Sequence, residues 1–264
     1  MLINQAQDPN SGSFPKKAAG MASRFLARQS RVKMLTLDNV PPMVSFTFDD
    51  VPASACELGA RILEQHGACG TFYVAGSGTA EPGAPARATI DQLRTVWANG
   101  HEIGCHTFSH PSIRQLSLEE LGRELDRNQR VLNTISDDIV VHNFAYPYGD
   151  FSIRTKHYLE SRFDSCRSGH AGINTGTADL GALDAWPLQN AFIDHAKVVK
   201  LIDATVQTCG WLIFYTHDVA ESQSKYGVSP DLLEWAVGTA TRSGCALTTV
   251  AESLNLIRGR ANSQ

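Results

Sequence analysis

Apolar residues along this chain fall into two alternating kinds of run: short β-rich stretches, and longer segments whose apolar positions recur every three or four residues. Val44-Ser45-Phe46-Thr47-Phe48 reads as a strand that stops on Asp49-Asp50. Ser54-Ala55-Cys56-Glu57 then has the form of a capping box. Ala55, Leu58, Ile62 and Leu63 continue at helical spacing up to Gly67. Gly70 to Ala75 reads as a second strand, and Thr89-Ile90-Asp91-Gln92 opens a helix carrying Leu93, Val96 and Trp97 that ends at Gly100. A strand leads into His106. Ser117-Leu118-Glu119-Glu120 starts a helix with Leu118, Leu121, Leu125 and Leu132 on one face.

The alternation continues. A strand is expected over Val140 to Tyr146, a short helix from Ser152, a strand from Phe163 to Cys166, a loop from Gly169 to Gly181, and a helix from Asp194 to Cys209. Trp211 to Thr216 is the next strand, Ser229-Pro230 begins a helix, and Cys245 to Val250 reads as the last strand. Repeated strand and helix units imply a parallel sheet. A count of about seven or eight strands favours a closed or partly closed (β/α) barrel over a doubly wound open sheet. The expected organisation is a partly irregular N-terminal arm over residues 1–42, then one domain over 43–264. Residues 5–20 are polar and aperiodic, as in a mobile arm or surface wrap.

Composition narrows the function. With 264 residues and a net charge of -4 the chain has no basic stripe for tracking phosphates, so nucleic acid is not an expected partner. No window approaches about 18 consecutive apolar residues, so no membrane span is expected. The N-terminus lacks the basic start and apolar core of a secretory leader, which points to a cytoplasmic location. Cys56, Cys69, Cys105, Cys166, Cys209 and Cys245 are dispersed singly and read as reduced, buried thiols. Oligomeric state has no signature in the sequence.

Three strand-like runs end on titratable residues: Asp49-Asp50, His106-Thr107-Phe108-Ser109-His110, and His217-Asp218. Parallel α/β architectures build active sites at such ends. Two imidazoles and a carboxylate fit a divalent metal with an open coordination position. The same donor set can also hold Fe(II) in an oxygenase, but that reading leaves the second aspartate and His217 without a task.

Together these residues resemble the polysaccharide deacetylase family built on the NodB homology domain, over roughly residues 43 to 254. The matching motifs are Thr47-Phe48-Asp49-Asp50, His106-Thr107-Phe108-Ser109-His110, Tyr146-Pro147-Tyr148-Gly149 and Tyr215-Thr216-His217. The resemblance implies a distorted (β/α) barrel of about seven strands and a metal, usually zinc, held by Asp50, His106 and His110. It makes Asp49 the general base and His217 the general acid. The main-chain N–H of Tyr148 would face the oxyanion, and Trp186 and Tyr215 would wall the acyl pocket.

The implied reaction is removal of an acetyl group from an N-acetylated sugar, oligosaccharide or polysaccharide. Rival readings are hydrolysis of a non-sugar C–N bond and a catalytically weak carbohydrate-binding relative. Departures from the family pattern motivate the last of these. Ala145 stands where many members carry an arginine that pairs with the base, Tyr215 where leucine is usual, and Asp184-Ala185-Trp186 only partly matches the fourth motif.

Overall fold

A computed structural model describes residues 23–78 and 84–261. Its strands are β1 (Met34–Thr36), β2 (Met43–Asp49), β3 (Thr71–Val74), β4 (Glu102–Cys105), β5 (Asn143–Ala145), β6 (Ser165–Arg167), β7 (Thr177–Asp179), β8 (Trp186–Pro187), β9 (Trp211–Thr216) and β10 (Ala246–Leu247). Its helices are α1 (residues 23–29), α2 (Ala60–Gln65, preceded by a π-helical turn over Ala55–Gly59), α3 (Ile90–Ala98), α4 (Leu118–Leu132), α5 (Ile153–Glu160), α6 (His195–Thr208), α7 (Pro230–Arg242) and α8 (Val250–Ala261).

The main sheet runs β6-β5-β4-β3-β2-β9-β8, with every neighbouring pair parallel. The segment leading into β8 also bonds to β6. Leu183 N donates to Cys166 O and Ser168 N to Leu183 O, each at 2.8 Å, so the curled sheet returns to its starting edge. This is the expected distorted (β/α) barrel.

Strand alternation sorts its two faces. Val44, Phe46 and Phe48 point outward into the main apolar core beneath α2, α3, α6 and α7. Ser45, Thr47 and Asp49 point inward. The interior is therefore unusually polar, and its groups satisfy one another: Trp211 Nε1 donates to Ser45 Oγ at 2.9 Å, and Ser165 Oγ donates to Asn143 Oδ1 at 2.7 Å. Gly104 is required here, because a Cβ on it would lie 2.5 Å from Tyr73 Cδ1.

At the N-terminal end of the strands α8 closes the barrel, with Val250, Leu254 and Ile257 packed on Met43, Trp211 and Ile213. Thr249 caps this helix: Thr249 N donates to Glu252 Oε2 at 2.8 Å, and Glu252 N to Thr249 Oγ1 at 3.1 Å. The strand expected over Cys245 to Val250 is consequently only Ala246–Leu247, paired with the start of β2.

Other expectations shift for similar local reasons. Thr89 and Ser117 form their capping boxes, but Ser54 does not. Its backbone is already helical, its Oγ accepts from Val219 N at 3.2 Å, and Glu57 instead accepts from Gln92 Nε2 at 2.7 Å. The strand expected over Val140 to Tyr146 shortens to β5, and Val140 is exposed.

The stretch read as a loop from Gly169 to Gly181 contains β7, which pairs antiparallel with β1. Residues 23–42 thus include a helix and a strand. Lys156, fully buried, ties them down by donating to Ser30 O and Asp179 Oδ2, each at 2.6 Å. The polar stretch 5–20 lies outside the described residues. Cys56, Cys105, Cys166 and Cys245 are buried, Cys69 is half-buried and Cys209 exposed, and all six are free thiols. Among the described residues no helix is long and apolar enough to cross a membrane.

Candidate active site

The C-terminal ends of β2, β4, β5, β6 and β9 converge on one cluster. β2 ends with Asp49 pointing inward, and Asp50 follows with φ +59°. His106 comes directly after β4, its N–H bonded to Val74 O at 3.0 Å and its Nδ1 2.8 Å from Ala145 O. That contact makes Nδ1 the donor and aims the Nε2 lone pair at the site.

The turn after His106 is held from α4, because Glu124 Oε2 accepts from Phe108 N at 3.1 Å and Ser109 N at 2.7 Å. It delivers His110, whose ring centroid lies 4.7 Å from that of His106. Asp50, Val51, Thr107, His110 and Tyr148 all have positive φ. Left-handed backbone at non-glycine residues costs about 1–3 kcal/mol each and persists where surrounding structure over-determines it.

Asp50, His106 and His110 each offer a ligand atom within 4.8 Å of the others. Asp50 Oδ1 is buried and makes no hydrogen bond. Burial and the neighbouring His106 push His110 down to about 4, and burial lowers His106 as well. Both imidazoles are therefore neutral near pH 7, the form that ligates metal. Burial alone would raise Asp50, but His106, His110 and Arg87 hold it well below the usual carboxylate range. A buried carboxylate beside two neutral imidazoles, its Oδ1 accepting no hydrogen bond although the Arg87 guanidinium lies 2.8 Å away as an ion-pair partner, fits a divalent cation.

Asp49 is held differently. Arg167 Nη2 donates to both Asp49 oxygens at 2.5 Å, and the guanidinium is 1 % exposed. Its Cζ lies 5.3 Å from the Tyr73 ring centroid and 4.8 Å from that of Tyr215. Burial would raise Asp49, but Arg167, then His106 and His217, keep it below its ordinary value and hence ionised.

Arg167 also accounts for the missing third-motif arginine. In the β5–β6 register Ala145 pairs with Arg167, and parallel partners share a face. The guanidinium absent from β5 enters the same layer of the barrel from the next strand. Nothing in the Tyr146-Pro147-Tyr148-Gly149 motif signals this. An arginine directly after Ser165-Cys166, at a strand end like those carrying the other site residues, was the available clue.

The remaining expected residues divide. His217, at the end of β9, is half-buried, with its N–H on Tyr226 O at 3.2 Å and its Nδ1 buried without a hydrogen bond. Tyr148 sits in the turn Pro147–Gly149, its exposed ring 4.5 Å from His110. Gly149 is needed there, since it has φ +62° and a Cβ would lie 2.8 Å from Gly169 N. Tyr215 lies beside Arg167 on the inner face.

Trp186 is not at the site. It pairs with outward-facing Phe214, packs on the helix-side core, and carries Lys197 Nζ 4.5 Å from its ring. Strand alternation turned it away from the acyl position expected for it. The Asp184 carboxylate likewise faces a separate polar cavity lined by Arg28, Lys156 and His170.

The profile of the family described as Polysaccharide deacetylase matches residues 37–162. Over that stretch, just under half of its length, the chain is similar to the polysaccharide deacetylase family. The match includes the candidate metal triad and Asp49 but stops short of Arg167 and His217, which the barrel brings in. A chitooligosaccharide deacetylase of Azorhizobium caulinodans is 31 % identical over 135 residues, which are 50 % of this chain and 55 % of that protein. The chain thus spans about half the length of this curated relative.

Two solved structures share the fold. The chitin deacetylase of the fungal pathogen Colletotrichum lindemuthianum has a TM-score of 0.59 at 20 % identity, covering 84 % of this chain and 90 % of that one. A CE4-family pseudoenzyme from Bacillus anthracis has a TM-score of 0.56 at 15 % identity, covering 80 % and 65 %.

Proposed function

We propose that this chain is a member of that family and hydrolyses the acetamide of an N-acetylated sugar or oligosaccharide, with zinc as its metal. The observation that carries the reading is the pairing of Arg167 with Asp49 beside the Asp50, His106 and His110 cluster. A bare metal-binding trio would need neither a buried ionised carboxylate nor its guanidinium. A divalent cation held by Asp50, His106 and His110 supplies Lewis-acid polarisation of the acetyl carbonyl and activation of water.

The protein's own groups do the rest. Asp49, kept ionised, takes a proton from the attacking water, and Arg167 fixes the carboxylate so that it acts as base and not as a further ligand. The tetrahedral oxyanion develops near the turn at Tyr148, and the main-chain N–H of that residue is the proposed donor to it. His217 protonates the departing amine, which is too basic to leave as an anion near neutral pH. Tyr215 narrows the inner wall. Arg167 also weighs against a weak-binding role, because it replaces the group whose absence at Ala145 suggested one.

Acetate release from a panel of N-acetylated and O-acetylated sugars, by protein as purified, chelated and zinc-restored, tests the reading. Zinc-dependent release is expected. Asp49→Asn should retain metal while losing about two to four orders of magnitude in rate, whereas Asp50→Ala should lose metal. Equal loss of metal in both variants would overturn the division of roles, and stoichiometric metal without acetate from any sugar would favour a non-sugar amide.

A further inference from the structure

A cavity of about 590 Å³ opens beside the metal triad, between the ends of β3 and the flanks of α3 and α4. Asp50 lies on its wall together with Arg87, Arg127 and Arg130. Arg87 joins cavity and triad: its Nη1 is 2.8 Å from Asp50 Oδ1 and donates to the Asp50 main-chain oxygen. Arg127 sits over Phe108, its Cζ 3.9 Å from the ring centroid, and its ion-pair partner is Glu124 at 3.9 Å. Among the described residues Arg130 forms no ion pair.

Charge bookkeeping then points one way. Among the described lining residues Asp50 is the sole acid, and it is already committed to Arg87 and the imidazoles. Three guanidinium groups against two carboxylates, Asp50 and the Glu124 beside Arg127, leave a local positive surplus in a chain whose net charge is -4. Arginine presents a planar fork that matches carboxylate and phosphate oxygens, and the cavity mouth favours an anion over a neutral hydroxyl.

We propose that this cavity receives an anionic group of the substrate, a carboxylate or a phosphate, carried on the sugar next to the one being deacetylated. The inference rests on the hydrolase reading for its place in a reaction, but the anion site stands on its own charges. Arg127 and Arg130 grip the anion, with Phe108 holding the Arg127 plane. Arg87 sets the distance from anion to metal.

The decisive comparison uses three substrates: an N-acetylglucosamine oligomer, the same oligomer with a uronate neighbour, and one with a phosphorylated neighbour. The kcat/KM ratio of acidic to neutral substrate should be at least about tenfold at low salt, shrink as salt rises, and collapse toward one in the Arg127→Gln/Arg130→Gln variant. The better of the two acidic arms identifies the anion. A ratio near one in the parent protein, or one that survives the double substitution, overturns the proposal.

Calorimetric binding of the uronate oligomer to the Asp49→Asn protein separates this from the reaction itself. Binding that the two Arg substitutions abolish, with no acetate released by the parent protein from any arm, keeps the anion site and discards the deacetylase. Acetate from all arms without differential binding does the reverse. Unchanged melting temperatures in the Gln variants assign any effect to the cavity.

Discussion

The two ends of the barrel interior each hold a carboxylate, Asp49 buried and Glu102 half-buried, and the two are handled in opposite ways. At the C-terminal end Asp49 faces a guanidinium and is held below its ordinary pKa. At the N-terminal end Glu102 is met only by neutral donors: Asn143 Nδ2 at 2.5 Å, Thr71 Oγ1 at 2.8 Å and Ala251 N of α8 at 2.9 Å. There burial prevails and Glu102 is raised. One charged partner outweighs three neutral donors once water is excluded. The end that carries charge, strain and exposed aromatics is the end equipped for chemistry. The other is a closed structural base.

The comparison breaks most sharply at Arg167. Arg167→Ala leaves Asp49 as an unpaired buried charge, so we expect a loss of about 3–5 kcal/mol in denaturant-measured stability and at least about a hundredfold loss of acetate release. Adding Ala145→Arg to that variant should recover a measurable part of both, because the two positions are register partners on one face. No recovery would mean that the guanidinium cannot be supplied from β5.

Glu102→Gln tests the other end and should cost about 1–3 kcal/mol, since one donor loses its acceptor while no buried charge is stranded. Activity should stay close to that of the parent. A cost equal to that of Arg167→Ala would erase the distinction.

Titration gives the two ends opposite slopes. His110 is depressed to about 4, and His106 and His170 are also lowered. The chelated protein should therefore be most stable above the ordinary histidine value of about 6.5 and lose stability as pH falls toward about 4. Glu102, being raised, contributes stability at low pH that is lost as pH rises through its folded value. Glu102→Gln should flatten that alkaline-side loss and leave the acid-side fall intact. Urea unfolding of chelated protein across pH measures both slopes, and the effect of Glu102→Gln on slope should be the smallest of these.

What could be read without coordinates was local. The caps at Thr89, Ser117, Ser152, Asp194 and Ser229 involve partners within three residues, so composition and spacing suffice to reveal them. The candidate metal trio was legible for the same reason: two imidazoles lie four residues apart in one turn, and the carboxylate follows the end of an apolar strand. β8 and β10 are two residues long and exist because neighbours pair with them, which no local pattern announces. Trp186 looked like a site residue because its sequence neighbourhood did, while its strand phase, set by pairing with Phe214, turned it outward.

The sequence by itself determined the barrel class and the kinds of group available at its strand ends, since hydrophobic period and strand-terminal chemistry are written along one stretch of chain. Tertiary structure alone decided that Arg167, 118 residues from Asp49, is its partner, and that Arg87 and Glu124 brace the cluster of Asp50, His106 and His110. Such pairings depend on strand register and barrel closure. Those are properties of the packed sheet, where the cost of burying an unmatched charge selects a single arrangement.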